Sequence, residues 1–309
     1  MRKPVDVSII LVTYNGREIT LRALELYQWA IAADTAHRYE VIVVDNASRD
    51  GLADAVADQY PSVRLIRNPE NLGFARAGNV GFRASAGRYL LFSNSDIEVD
   101  ESALPTLIEL MDADSQVGAC TPYLELASTG QVDWGAHRGF PAPWAAFTYF
   151  AKLEQLFRWS RPLSRVFGQY HLTDRDLTLA HEVDAIRGGF FFARRDAFES
   201  AGRWDEDYFL YAEDIDLCYV LKQRGYKVMF YPQARALHYH GMTTGLKRHS
   251  QDIAVYSADD RERAYNAFYD TMKTFYDKHY RSKYSPLARW LVFAAIDLRK
   301  RLGARRKTV

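Results

Sequence analysis

Residues 7–16 read VSIILVTYNG. Val7 to Thr13 is a short run rich in β-branched residues, stopped by the turn formers Tyr14, Asn15 and Gly16. A strand that is apolar on both faces belongs inside a sheet covered on both sides. The pattern recurs downstream. Val41 to Val44 stops at Asp45 and Asn46, Val63 to Ile66 is a third run, and Tyr89 to Phe92 stops at Ser93, Asn94, Ser95 and Asp96. Between these runs, Ile19 to Ala33, Leu52 to Gln59 and Gly73 to Ala86 have helical spacing. Alternating strands and helices predict an α/β fold with a Rossmann-like, mostly parallel central sheet flanked by helices. Ligands bind such sheets beyond the carboxyl ends of the strands. Tyr14, Asn15, Asp45, Asn46, Asn94 and Asp96 are therefore candidates as a group.

From about Thr129 to Glu182 this rhythm stops. The stretch is rich in Trp, Phe and Arg, broken by Pro141, Pro143 and Pro162, and reads as an insertion of short helices. Val183 to Ala193 then reads as a strand, Asp214 to Gly225 as a helix closed by a glycine, and Lys227 to Tyr231 as another strand. Arg261 to His279 and Pro286 to Leu302 read as helices, the second with Leu287, Trp290, Leu291, Ala294 and Leu298 along one stripe. A basic tail follows (Arg299, Lys300, Arg301, Arg305, Arg306, Lys307).

Composition narrows the function. The chain has 309 residues, 48% hydrophobic and 26% charged, which excludes a disordered chain, a collagen and a disulfide miniprotein. Forty basic residues against 39 acidic ones give nucleic acid no polycation to meet. Cys120 and Cys218 alone make neither a disulfide framework nor a cysteine zinc site, and suit a reducing compartment. The apolar run near the N-terminus is too short for a signal-peptide core. Trp290 to Ile296 falls far short of the ~18 apolar residues of a spanning helix. The expectation is a cytoplasmic protein. An aromatic content of 14% hints at a sugar-facing or membrane-facing surface.

Several nucleotide and metal motifs fail. Gly73 to Gly78 has P-loop glycine spacing, but Asn79 stands where lysine is needed. No G-x-G-x-x-G follows the first strand. Asp205, Glu206 and Asp207 open like a calcium loop, but Leu210 replaces its glycine. A dispersed set of acids and histidines remains. Asp45 could accept hydrogen bonds from a base or ribose, or cap a helix. Asp96 could hold a hard divalent cation against a diphosphate, or cap a helix near Ser102. Glu213, Asp214 and Asp216 lie in WDEDYFLYAEDIDLC. A helix start favours such acids through its dipole, while a carboxylate beside aromatic residues could also be a general base facing a sugar. His238 and His240 follow a strand and could ligate a metal or be structural.

Together these segments resemble a family-2 glycosyltransferase of GT-A fold. SIILVTYNG, VVDNASRDG, NLGFARAGN and LLFSNSD are similar to its nucleotide-sugar half, and residues 186–241, opening IRGGFFFARRDAF, to its acceptor half. The resemblance covers roughly residues 5 to 245 apart from the insertion, and is nearest to bacterial rhamnosyltransferase-like enzymes. It implies a transferase domain over 1–255, with a nucleotide-sugar half to about 100, an acceptor half from 101 and the insertion at 129–182. Residues 256–309 would be a helical extension.

The implied activity is inverting transfer of a sugar, foremost rhamnose from dTDP-rhamnose, to a hydroxyl of a glycan or lipid-linked glycan acceptor. Thr13, Tyr14, Asn15, Asp45, Asn71, Arg76, Asn94, Ser95 and Asp96 would bind the nucleotide-sugar. Asp96 and His238 would ligate a divalent cation (Mg²⁺ or Mn²⁺), with His240 as the fallback. Asp214 would be the general base. Gly189, Trp204, Asp205 and Glu213 would shape the acceptor site. Two positions depart from the family pattern: Asn94 replaces the first acid of D-x-D, and Tyr219 stands where arginine is common. The aromatic insertion and basic terminal helix would suit an anionic membrane surface on the cytoplasmic face. Two other readings stay open: a UDP- or GDP-sugar transferase or nucleotidyltransferase, and a non-catalytic binding protein of the same fold.

Overall fold

The computed structural model describes residues 4–239 and 257–305. The elements are β1 (Val7–Thr13), α1 (Arg17–Ala33), β2 (Tyr39–Asp45), α2 (Leu52–Gln59), β3 (Arg64–Arg67), α3 (Phe74–Ala84), β4 (Tyr89–Ser93), β5 (Ile97–Val99), α4 (Ala103–Ala113) and β6 (Val117–Leu126). There follow α5 (Pro143–Phe150), α6 (Leu153–Phe157), α7 (Arg161–Phe167), β7 (His181–Glu182), β8 (Phe190–Arg194), α8 (Arg195–Ser200), α9 (Glu213–Gln223), β9 (Lys227–His238), α10 (Ala258–His279) and α11 (Pro286–Arg305).

One nine-stranded sheet runs β3-β2-β1-β4-β8-β6-β9-β5, with β7 paired to β9. β1 to β4 pair in parallel, as do β6 and β9. β8 lies antiparallel between β4 and β6, and β5 and β7 antiparallel to β9. The sheet is thus mostly parallel and covered on both faces. In β1, Ile9 and Leu11 join a core with Leu24, Tyr27, Leu52 and Leu107. Ile10 turns to the opposite core, with Val44, Phe82, Phe198 and Leu217. A one-residue slip would exchange the two sets, so register is firmly specified.

Two expected strands differ. The run 183–193 is strand only from Phe190, because the Arg187–Gly189 backbone forms local bonds in place of a ladder: the Gly188 N–H donates to the Asp214 carboxylate, the Arg187 carbonyl accepts from the Phe190 N–H and the Gly189 carbonyl from the Asn94 N–H. The strand begun at Lys227 continues to His238, since its outer half pairs with β6 and β5. Helix α9 ends as expected. Gly225, at φ +86°, follows it, and the Tyr226 N–H donates to the Leu221 carbonyl. The insertion is the set of short helices its prolines imply, with Pro143 in the first turn of α5 and Pro162 in that of α7.

Helix α10 seats on α9. Buried Asp216 accepts from Lys278 Nζ at 2.7 Å, His279 Nε2 at 2.6 Å and Tyr208 OH at 3.1 Å. The Tyr219 ring packs on His279, with centroids 4.2 Å apart. Helix α11 packs on α10 through Tyr265 with the Lys300 carbonyl and through Lys273 with Asp297. Its stripe of Leu287, Trp290, Leu291, Leu298 and Leu302 stays exposed, while Ile296 is buried. No helix among the described residues is long and apolar enough to cross a membrane.

Burial alone would raise the Asp216 carboxyl, but the His279 and Lys278 bonds hold it below the usual range. Its stabilisation is present above the ordinary Asp value of about 3.9 and is lost as pH falls through the lower native value. Asp216→Ala is expected to cost about 3 kcal/mol in urea unfolding at neutral pH. The gap to the parent protein should narrow in acid, and a gap independent of pH would contradict this account.

Candidate active site

The parallel strands bring their polar ends to one edge. Thr13 and Asp45 are register partners, as are Leu11 and Ser93. Thr13 Oγ1 lies 2.8 Å from Thr20 Oγ1, which lies 3.0 Å from Ser95 Oγ, so hydroxyls link the β1 end to the Asn94–Asp96 turn. Asn15 takes a left-handed conformation (φ +50°), and its Oδ1 accepts from the Arg49 N–H at 2.8 Å. Asp45 accepts from the Ser48 N–H at 3.0 Å, closing a turn rather than capping α2, which starts seven residues on. Asn46 donates to Asn71 Oδ1 at 2.8 Å and accepts from the Leu72 N–H, fixing the loop before α3. Arg76 is exposed, 3.8 Å from Glu206. Tyr14 OH donates to Asp260 of α10 at 3.2 Å.

Asp96 and His238 meet through the sheet. Ile97 pairs with His238 across β5 and β9, and the Tyr239 N–H donates to the Asp96 carbonyl at 2.9 Å. His238 Nε2 lies 3.5 Å from Asp96 Oδ1, and both side chains are buried. Asp96 does not cap α4, whose preceding residue is Ser102. On the other side of the ring, His238 Nδ1 lies 2.7 Å from Asp133 Oδ2. Burial would lower the imidazole, but bonds to Asp133 and Asp96 outweigh it and raise its affinity for a proton. A carboxylate oxygen and an imidazole nitrogen facing each other suit Mg²⁺ or Mn²⁺. Among the described residues there is no group of three or more His, Cys, Asp and Glu able to hold a metal ion. Any cation at this pair would depend on further ligands from substrate or water.

The loop Arg187–Gly189 joins this pair to the carboxylates of α9. Arg187 Nε lies 3.2 Å from Asp133 Oδ2. The Gly188 N–H donates to Asp214 Oδ2 at 2.9 Å, and the Gly189 carbonyl accepts from the Asn94 N–H at 2.8 Å. Asp214 also accepts from Arg138 Nη2 at 2.9 Å. Burial and the Asp214 charge push the neighbouring Glu213 carboxyl well above the usual carboxylate range. Asp96, His238, Asp214, Glu213, Asn94 and Gly189 therefore share one neighbourhood.

Two expected acceptor residues point elsewhere. Trp204 is a core side chain, 1% exposed and packed on Phe92 and Phe191 at 5.0 and 4.9 Å, so its ring backs the site instead of lining it. Asp205 turns to Lys278 of α10 at 2.5 Å. Tyr219, in place of the arginine, packs on α10. His240 lies outside the described residues. Sequence reasoning missed Asp133, Arg138 and Arg187. The first two sit in the insertion, where the strand rhythm gives no guide. Arg187 directly precedes a glycine pair, a signal of close backbone approach that could have been used.

The model of glycosyl transferase family 2 matches residues 8–200, and that of glycosyl transferase family group 2 matches residues 107–297. The chain belongs to glycosyl transferase family 2. It is a nucleotide-sugar glycosyltransferase. It is 26% identical over 275 residues to the N-acetylglucosaminyl-diphospho-decaprenol L-rhamnosyltransferase of Mycobacterium tuberculosis, covering 81% of this chain and 83% of that protein. It is 24% identical over 230 residues to the poly-beta-1,6-N-acetyl-D-glucosamine synthase of Staphylococcus aureus, covering 74% and 48%. Solved structures of similar fold include GalNAc-T7 with UDP, GalNAc and Mn²⁺ (TM-score 0.55, 18% identity), of which this chain covers 44% while 77% of this chain is matched. The mannosyltransferase PcManGT from Pyrobaculum calidifontis, in complex with GDP-Man and Mn²⁺, is another (TM-score 0.56, 17% identity, 96% of this chain and 70% of that one).

A Cβ at Gly189 would sit 2.9 Å from Asn94 Nδ2, closer than real contacts allow. Gly189→Ala must push Asn94 aside. Transfer efficiency is expected to drop on the order of 10²-fold with unchanged circular dichroism; steady-state kinetics at parental kcat/KM would contradict this.

Proposed function

We propose that this site moves a sugar from a nucleoside diphosphate to an acceptor hydroxyl with inversion at the anomeric carbon. The meeting of Asp96, His238 and Asp214 around the Arg187–Gly189 loop supports the reading most strongly. Thr13, Tyr14, Asn15, Asp45, Asn71 and Arg76 hold the nucleoside, and Asn94 and Ser95 flank the diphosphate. Asp96 and His238 hold a divalent cation, Mg²⁺ or Mn²⁺. When bound, it neutralises charge developing on the leaving diphosphate.

Asp214 takes the acceptor proton. Arg138 and the Gly188 amide fix its Oδ2, which orients the carboxylate for that transfer, a contribution on the order of 10²–10⁴-fold. The acceptor oxygen bonds to the anomeric carbon as the bond to phosphate breaks, so one displacement suffices and no sugar is attached to the protein. Glu213, which keeps its proton to higher pH, donates a hydrogen bond to the acceptor beside Gly189. Trp204 and Asp205 support this region from behind.

The mycobacterial relative's name favours rhamnose as the transferred sugar and a polyprenyl-diphosphate-linked glycan as acceptor, and the sequence resemblance favours dTDP as the sugar's carrier. A UDP- or GDP-sugar is the competing donor. A nucleotidyltransferase would want a basic, glycine-rich phosphate loop, which TYNGREIT lacks. A non-catalytic protein would have little use for a carboxylate held by Arg138 beside a carboxylate–imidazole pair.

We place the transferase unit at 1–255 and read 256–309 as an extension that reaches the cytoplasmic membrane surface. The exposed stripe of α11 supports this, as do exposed Trp144, Phe147, Leu156 and Trp159 of the insertion. The Arg299 guanidinium sits 4.1 Å from the Phe150 ring, so the two surfaces adjoin. Arg158, Arg161, Arg165 and Arg301 add cations, each worth ~1 kcal/mol near anionic lipid.

Asp214→Asn is expected to lower turnover by about 10³-fold with donor affinity within twofold, and Glu213→Gln to cost far less. Equal loss of affinity and turnover in the Asp214 variant would remove it as the base. Hydrolysis assays should favour dTDP-rhamnose over UDP-sugars and GDP-mannose; preference for another donor would overturn the rhamnose assignment. Sedimentation with phosphatidylglycerol vesicles should be salt-sensitive, and no binding at low salt would refute the membrane surface.

A further inference from the structure

We infer that Asp133 is a positioning residue for the cation site: its carboxylate turns the His238 ring so that Nε2 presents its lone pair toward Asp96. The inference rests on the proposed cation at Asp96 and His238, and adds a residue outside the motifs that carry the family resemblance. An imidazole has two chemically different nitrogens, and only an unprotonated one ligates a cation. Which nitrogen keeps the hydrogen is decided by its partner.

Asp133 Oδ2 lies 2.7 Å from Nδ1, while Nε2 faces Asp96 Oδ1 at 3.5 Å. Asp133 and His238 are both buried, so water does not compete for that bond. An ionised carboxylate can only accept, which requires the hydrogen on Nδ1 and, in the uncharged ring, puts the lone pair on Nε2.

The carboxylate is itself built in. Its Oδ1 accepts the Gly135 N–H at 2.9 Å, and Arg187 lies 3.2 Å from Oδ2. A Cβ at Gly135 would run into the Arg187 guanidinium, so glycine there gives Arg187 its seat. Arg187 immediately precedes Gly188 and Gly189, which bond Asp214 and Asn94. One loop therefore orients the cation's histidine and the base together.

The test is Mn²⁺ titration of the full chain, read as free Mn²⁺ by electron paramagnetic resonance. Losing an outer carboxylate partner of a metal-bound histidine typically costs about 10–100-fold in affinity. Asp133→Ala is expected to fall in that range when assayed below its own melting midpoint, where circular dichroism shows it folded. Asp133→Asn, which keeps an acceptor for Nδ1, should lose less. Asp96→Ala and His238→Ala should lose more than either. If those two weaken Mn²⁺ binding and Asp133→Ala does not, this inference fails while the cation site stands. If none of them changes it, the cation site fails and takes this inference with it. Should the alanine variant not fold, nitrogen-15 spectra of labelled histidine in the unaltered, neutral apoprotein decide. At a pH where the ring is uncharged, a hydrogen on Nδ1 of His238 with Nε2 bare supports the role, and a hydrogen on Nε2 with Nδ1 bare overturns it.

Discussion

The loop Arg187–Gly189 is the constraint on which the site depends. It is backbone without strand pairing, inserted directly before β8. Each residue supplies one contact to a different part of the fold: Arg187 to Asp133, Gly188 to Asp214, Gly189 to Asn94. Gly189 allows this at the β4 end, where a Cβ would sit 2.9 Å from Asn94 Nδ2. A polar backbone group buried without a partner would cost about 1–3 kcal/mol. Here the Asp214 carboxylate satisfies the Gly188 N–H and the Asn94 N–H satisfies the Gly189 carbonyl, so folding the loop and assembling the site are the same event.

The sheet explains why distant acids converge. Asp96 follows a central strand, and His238 ends a strand formed more than a hundred residues later. The antiparallel pairing of Ile97 with His238 brings them together. Neither residue needs a flexible loop to reach the other. The site is thus held by packed strands on one side and by α9 on the other, which suits chemistry that depends on orientation. The Asp216 cluster extends that support outward, since α10 holds the back of the helix that carries Asp214.

Much of this was legible in the chain. The runs at β1, β2 and β4 are apolar on both faces, which identified a covered parallel sheet, and the residues that stop them lie at its carboxyl edge. The family resemblance, and not the spacing of the residues, implied that Asp96, His238 and Asp214 share a neighbourhood. Local patterns hid three things. Val183 to Ala193 looked like one strand because Val183, Ile186 and Phe190–Phe192 are apolar, although the glycines break it. Trp204 looked like a sugar-facing aromatic, but a ring among Phe92, Phe191 and Phe198 gains more from burial. Asp133, Arg138 and Arg187 carry no spacing signal because their partners are 105, 76 and 54 positions away.

The most direct measurement is an anomalous difference map at the manganese edge, from crystals grown with Mn²⁺ and dTDP. The account expects one peak about 2.1 Å from an Asp96 oxygen and from His238 Nε2, with diphosphate oxygens completing the shell. A nucleotide bound at the β1–β2 edge with its manganese elsewhere, and none at that pair, would contradict it.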